Sequence, residues 1–441
     1  MEERQREPEK QELPKFDFMR EQIKERPINK RKLLRRTAMT ASMAVLFGMV
    51  ACLTVLVLEP VFNNWLYPEK AAENINFPPE TQEMLPEDMA LVDEELEESE
   101  PEEETPEETE AAPERIDEME LYRKTYGRLQ KLAADVSRSL VTVTGVTSDK
   151  DWFDNTYENK GQTAGVIIAN NGREYLVLAS AEPVKAVEAI NVTFCDNSQA
   201  QAQIKMTDTI TGLAVLAIDN KEIADTTREQ IATAKLGGSN YASLTGSPVI
   251  AMGSPGGISG SMIYGVATSS GNELNTVDSR YKLITTDIYG SRAGTGVLIN
   301  LQGEIIGVID QKYNAPDMEN MISAVGISEL RMTIERLSNG KSQAYMGIYG
   351  TDVTEEANEK LQVPFGAYVT GIELDSPAMQ AGIQSGDVIV SLNGRTVGNY
   401  DEYIRALQDS TPGSTVNVTL MRKNQEEYKA MSFLAPLGEL D

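Results

Sequence analysis

The sequence predicts a mainly β protein whose folded part fills the C-terminal two-thirds, behind an apolar helix and an acidic linker. Three observations lead there. From about residue 137 onward, short apolar and β-branched runs alternate with Gly, Asn, Asp and Ser, the pattern of a barrel or sandwich. Residues 37–58 form a 22-residue stretch without a charge, which as a helix covers roughly 33 Å. Residues 80–110 hold 16 acidic side chains and no Lys or Arg.

Composition narrows the function classes. The 441 residues carry a formal charge of −28, which argues against broad affinity for nucleic acid, because that requires clustered Lys and Arg. Cys52 lies in the apolar stretch and Cys195 stands alone in the β region, so no disulfide joins folded elements. The chain contains no histidine at all. The usual zinc constellations are thereby excluded, no EF-hand spacing is present, and neither metal nor cofactor is expected.

Residues 1–36 are a charged leader ending in Lys30, Arg31, Lys32, Arg35 and Arg36. The uncharged stretch follows at once and stops at Glu59-Pro60. Residues 37–58 therefore read as a transmembrane helix, since a hydrocarbon core is about 30 Å thick. The basic flank puts residues 1–36 in the cytoplasm and everything after residue 60 outside. A cleaved signal peptide is the competing reading, but the leader is long and no small-x-small site follows Leu58. Residues 59–113, with eight prolines and the Glu run, read as a disordered linker. A neutral chain of that length spans roughly 40 Å, and self-repulsion extends it. A stalk is the plain reading; an acidic lure for a basic partner is the sharper one. Across 114–136, apolar residues from Ile116 to Val136 recur at three- and four-residue steps, an amphipathic helix leading into the first strand.

Between 137 and 338 the β-runs include Gly165-Val166-Ile167-Ile168, Tyr175-Leu176-Val177-Leu178 and Pro248-Val249-Ile250-Ala251-Met252. The segment Gly246-Ser247-Pro248 through Gly253-Ser254-Pro255-Gly256-Gly257, then Thr286-Asp287, then Leu298-Ile299-Asn300-Leu301-Gln302-Gly303-Glu304 resembles the HtrA (DegP/DegS-like) serine protease family. The resemblance covers roughly residues 137–437. It implies a trypsin-like double β-barrel with the active site in the crevice between barrels, and family members are often trimers, so a homotrimer is implied too.

The catalytic positions depart from the family pattern. Where the family has its histidine motif, this chain reads Ala179-Ser180-Ala181-Glu182-Pro183-Val184, so Glu182 stands at the base position. The orienting carboxylate corresponds to Gly212 in Gly212-Leu213-Ala214-Val215-Leu216. The nucleophile corresponds to Gly294 in Arg292-Ala293-Gly294-Thr295-Gly296. Serine proteolysis of this type needs an imidazole, whose pKa of about 6.5 lets it carry the proton both ways. Thr295 is the alternative nucleophile if the register slips by one, with Ser291 also adjacent, and Glu182 an alternative base if burial raises its pKa. No slip supplies a histidine, and no catalytic residue is expected.

Residues 343–437 resemble the PDZ domain fused to such proteases, through Asp375-Ser376-Pro377-Ala378 and Gly382-Ile383-Gln384-Ser385-Gly386-Asp387 up to Asn393-Gly394. The resemblance makes Tyr345, Met346, Gly347 and Ile348 the carboxylate-binding loop, with Ile404 and Leu407 on the groove helix. Such a module binds unfolded proteins or protein C-termini by β-augmentation, its donors being backbone N–H groups. The whole then reads as a membrane-anchored pseudoprotease with a peptide-binding module, scaffolding or sensing in envelope protein quality control. An endopeptidase with an unconventional nucleophile and base, and a structural tether, are the alternatives.

Overall fold

The computed structural model describes residues 38–50, 72–78, 118–150, 156–240, 242–425 and 427–440. The expected cytoplasmic tail, residues 37 and 51–58 of the expected membrane helix and most of the expected linker lie outside these residues. Residues 38–50 are helical (α1) with exposed side chains. Among the described residues no helix is long and apolar enough to cross a membrane.

Helix α2 (Glu118–Ser137) begins the folded region. Its C-terminal half buries Ala133 completely and packs Leu129, Leu132 and Val136 against the barrels, as their spacing on one face dictates. Its N-terminal half leaves Met119, Leu121 and Tyr122 exposed.

Strands β1 (Leu140–Lys150), β2 (Thr156–Asn170), β3 (Glu174–Ser180), β4 (Ala189–Thr193), β5 (Gln199–Asp208) and β6 (Leu213–Asp219) close a barrel in the order β1-β2-β3-β6-β5-β4. The short α3 (Asp225–Gln230) crosses to the second barrel. There β7 (Pro248–Ser254), β8 (Ser261–Thr276), β9 (Ser279–Tyr289), β10 (Thr295–Ile299), β11 (Ile305–Ile309) and β12 (Met321–Gly326) repeat the same order, β10-β11-β12-β9-β8-β7. Closure leaves no unpaired sheet edge. Val143, Val177 and Leu216 fill the first barrel, and Ile284, Leu298 and Ile306 the second. Val166, Leu178 and Val215 meet Ile250, Met252 and Ile299 in a third cluster. The continuous apolar run of β3 follows from this: Val177 points into the barrel while its neighbours Leu176 and Leu178 enter the other cluster.

Helix α4 (Ile327–Ser338) buries Ile327, Leu330, Ile334 and Leu337 at helical spacing and seals the same cluster. Its Arg336 donates to Asp208 Oδ1 at 3.0 Å, tying the helix to the end of β5.

One expectation is corrected. Residues 72–78, within the stretch read as disordered linker, run extended along the barrels. Ile75 and Phe77 pack on the apolar cluster, and Asn339 holds the Ile75 backbone with bonds of 3.0 and 2.9 Å. Two apolar side chains with backbone partners are enough to order a strap that composition assigns to the linker.

The last region comprises β13 (Gln343–Tyr345), β14 (Ile348–Asp352), α5 (Glu355–Leu361), β15 (Ala367–Ile372), α6 (Pro377–Ala381), β16 (Val388–Leu392), β17 (Arg395–Thr396) and α7 (Tyr400–Gln408). It ends with β18 (Thr415–Asn424), β19 (Glu427–Pro436) and β20 (Gly438–Leu440). The main sheet runs β14-β15-β16-β18-β19, which leaves β14 on its edge. Strand β19 pairs with β18 along its whole length. Tyr400, Tyr403 and Leu407 of α7 are wholly buried in this core.

Candidate functional site

The barrels leave between them a cleft of about 1140 Å³, and Glu182, Gly212, Gly294 and Thr295 all line it. The chain brings them there from three loops. After β3, Ala181 donates its N–H to the Gly212 carbonyl at 2.8 Å, so the Glu182 turn rests on the loop before β6. Gly212 sits at φ +71°, where a side chain is strained. Glu182 itself is exposed at the rim.

The loop around Gly294, the expected nucleophile position, is folded onto itself. Gly294 donates its N–H to the Ser291 carbonyl at 2.8 Å, and Ser291 donates to the Pro255 carbonyl at 2.8 Å. A Cβ on Gly294 would lie 2.8 Å from Pro255 O and 2.9 Å from Ser291 O, too close for any side chain without movement. An oxyanion is stabilised only by donors aimed at the place it occupies. The Gly294 N–H is aimed elsewhere. Thr295 Oγ1 accepts from the Ala164 N–H across the cleft at 3.0 Å, and among the described residues no hydrogen bond joins it to a carboxylate.

Sequence reasoning missed Lys312, whose Nζ donates to the Thr211 carbonyl at 2.7 Å beside Gly212. A lysine can act as a base only when its pKa is depressed. Burial pulls Lys312 down, but Tyr313 and the Asp310 carboxylate more than offset it and hold it above its ordinary value. It is a fixed cation.

The PDZ-like loop has the opposite condition. The N–H groups of Met346 and Gly347 donate to Asp278 Oδ2 at 2.7 and 2.6 Å, and Ile348 donates to Oδ1 at 3.0 Å. Tyr403 donates its hydroxyl to Oδ1 at 2.7 Å. Asp278 comes from the two-residue turn between β8 and β9, with φ +49°, and is 0% exposed. Burial pushes its carboxyl up from the ordinary carboxylate range, while the N–H and hydroxyl donors pull it back. Its own N–H donates to the Ile348 carbonyl at 2.8 Å. Two residues on, Arg280 bonds Asp352 at the end of β14 and Asp401 on α7, at 2.8 and 2.6 Å. Of the other expected groove residues, Tyr345 and Ile404 are half-buried, and Leu407 belongs to the core.

Comparison with known proteins agrees with this architecture. Residues 163–308 match the trypsin-like peptidase domain family and residues 344–429 the PDZ domain family. A probable periplasmic serine endoprotease DegP-like of Pseudomonas savastanoi is 28% identical over 280 residues, covering 62% of this chain and 56% of its own. The serine protease Do-like HtrB of Bacillus subtilis is 26% identical over 313 residues, covering 64% and 66%. In joining a trypsin-like peptidase domain to a PDZ domain the chain is similar to HtrA-type proteases. Its fold is also that of a solved HtrA-type protease, AlgW with a decapeptide, with TM-score 0.51 and 20% identity over 70% of this chain and 99% of the other. The chain spans about half the length of the DegP-like relatives, 56% and 51% of the two from Pseudomonas savastanoi and Rickettsia prowazekii.

Proposed function

We propose that this HtrA-type chain is a membrane-anchored pseudoprotease whose PDZ module binds protein C-termini or unfolded chains outside the cytoplasm. The observation that carries the reading is the Gly294 turn, with its N–H spent on Ser291 and no space for a nucleophile's Cβ. Gly212 and the exposed Glu182 add to it, in a chain without an imidazole. The cleft then serves as a passive groove, and the module supplies recognition through Met346, Gly347 and Ile348, with Tyr345 and Ile404 shaping it. The names of its relatives favour an extracytoplasmic place in a bacterial envelope. The basic leader and uncharged residues 37–58 favour a single span. A homotrimer is part of the proposal by family resemblance.

Endoprotease activity is the second reading, and the relatives' names favour it. Cleavage of casein by the detergent-solubilised full chain separates the two. The pseudoprotease reading expects no cleavage by the parent or by Gly294→Ser. Cleavage by the parent that Thr295→Ala abolishes would establish a histidine-free protease instead.

A further inference from the structure

We infer that Asp278 is a built-in ligand of the PDZ module, occupying the carboxylate-binding loop in place of a peptide terminus. The inference rests on the peptide-binding reading of that loop and adds what holds it shut. A terminal carboxylate captured in a backbone nest needs converging N–H donors and an edge strand to lie against. Asp278 uses both, since the three N–H groups converge on its oxygens and its own N–H takes the first carbonyl of the edge strand β14.

The rest of the hairpin follows the same course. Arg280, only 7% exposed, lies between β14 and α7, held by Asp352 and Asp401 and 5.8 Å from the Tyr400 ring centroid. An incoming peptide strand has to pass along that line. A second carboxylate cannot enter, because the donors are taken and two adjacent carboxylates repel. A free C-terminus therefore binds only after the hairpin leaves, and its apparent affinity falls by the fraction of molecules already open. The occupant also belongs to the second barrel, so its departure undocks the module.

The test uses the detergent-solubilised full chain and two readouts. Amide hydrogen exchange at Met346, Gly347 and Ile348 reports the occupancy. Anisotropy of a fluorescein-labelled pool of random decapeptides, with free C-terminal carboxylates or amidated, reports binding. The expected result is slow exchange in the parent and exchange at least about tenfold faster in Asp278→Asn and Asp278→Ala. The carboxylate pool then binds both variants about tenfold tighter than the parent, and the amidated pool binds none. Asp278→Asn keeps the side-chain volume, and the parent's exchange needs no variant, so misfolding of Asp278→Ala leaves the test intact. Fast exchange in the parent, or equal binding of the carboxylate pool by parent and variants, overturns the inference. Exchange that accelerates without binding of either pool keeps Asp278 as the occupant and overturns the peptide-binding reading instead.

Discussion

The cleft between the barrels and the loop at the head of β14 differ in where their chemistry is carried. On the proposed reading the cleft's chemistry has to come from side chains at three positions, where Glu182, Gly212 and Gly294 supply no imidazole, no orienting carboxylate and no nucleophile. In the loop it comes from the N–H groups of Met346, Gly347 and Ile348, which every non-proline residue possesses. Substitution empties the first kind of site one residue at a time. The second kind persists as long as its backbone path does, and what decides its activity is whether something already sits in it.

That contrast can be broken most forcefully through Gly347. At φ +89° a Cβ there would meet Ser376 Cβ at 2.2 Å. Gly347→Val is expected to destabilise the folded chain by about 3 kcal/mol and abolish docking of Asp278, seen as a lower denaturation midpoint and loss of amide protection. Gly294→Ser tests the other side. Pressed against Pro255 O, the new side chain is expected to destabilise by about 2 kcal/mol and restore no casein cleavage.

Tyr403→Phe removes one donor from a buried carboxylate, at about 1.5 kcal/mol, and is expected to accelerate exchange at Met346–Ile348 less than Asp278→Ala does. Gly212→Asp returns a carboxylate to the cleft. At φ +71° it is expected to destabilise by about 1 kcal/mol, measured in urea, with hydrolysis still absent.

The smallest effect is a pH dependence of the Arg280 clamp. Burial pushes the Asp352 carboxyl up, but Arg280 and the Tyr400 N–H outweigh it and hold it below its ordinary value. A carboxyl depressed in the folded state contributes stability above about pH 4 and loses it as pH falls through the depressed value. Exchange at the Tyr400 amide, which donates to Asp352 Oδ1 at 2.7 Å, is therefore expected to quicken modestly in that acid window, and Asp352→Asn to remove the dependence.

The barrels and the PDZ fold were legible because their strands are bounded by turn residues and their cores run apolar, as in Tyr175-Leu176-Val177-Leu178. The cleft positions were legible through flanking motifs, down to Glu182, Gly212 and Gly294 lining one space. The closure of the Gly294 turn was not, because the Pro255 carbonyl that excludes a Cβ is almost forty residues away in sequence. Nor was Asp278. An aspartate in a two-residue hairpin is an ordinary turn residue, and the donors that give it another role begin at Met346. The strap at Ile75 and Phe77 was hidden by the surrounding Asn, Glu and Pro residues. Local pattern reveals elements; it does not reveal which distant groups they will meet.

The turn that carries Asp278 is fixed in a closed barrel of the same chain, so its local concentration is set by geometry and not by expression. Short intramolecular tethers give effective concentrations on the order of millimolar. A terminus that competes with such an occupant must be tight-binding or locally abundant. On the proposed reading, sparse, weak termini leave the module unchanged, and a crowded surface of exposed chain ends is what shifts it: the hairpin raises the concentration of ends at which the domain responds.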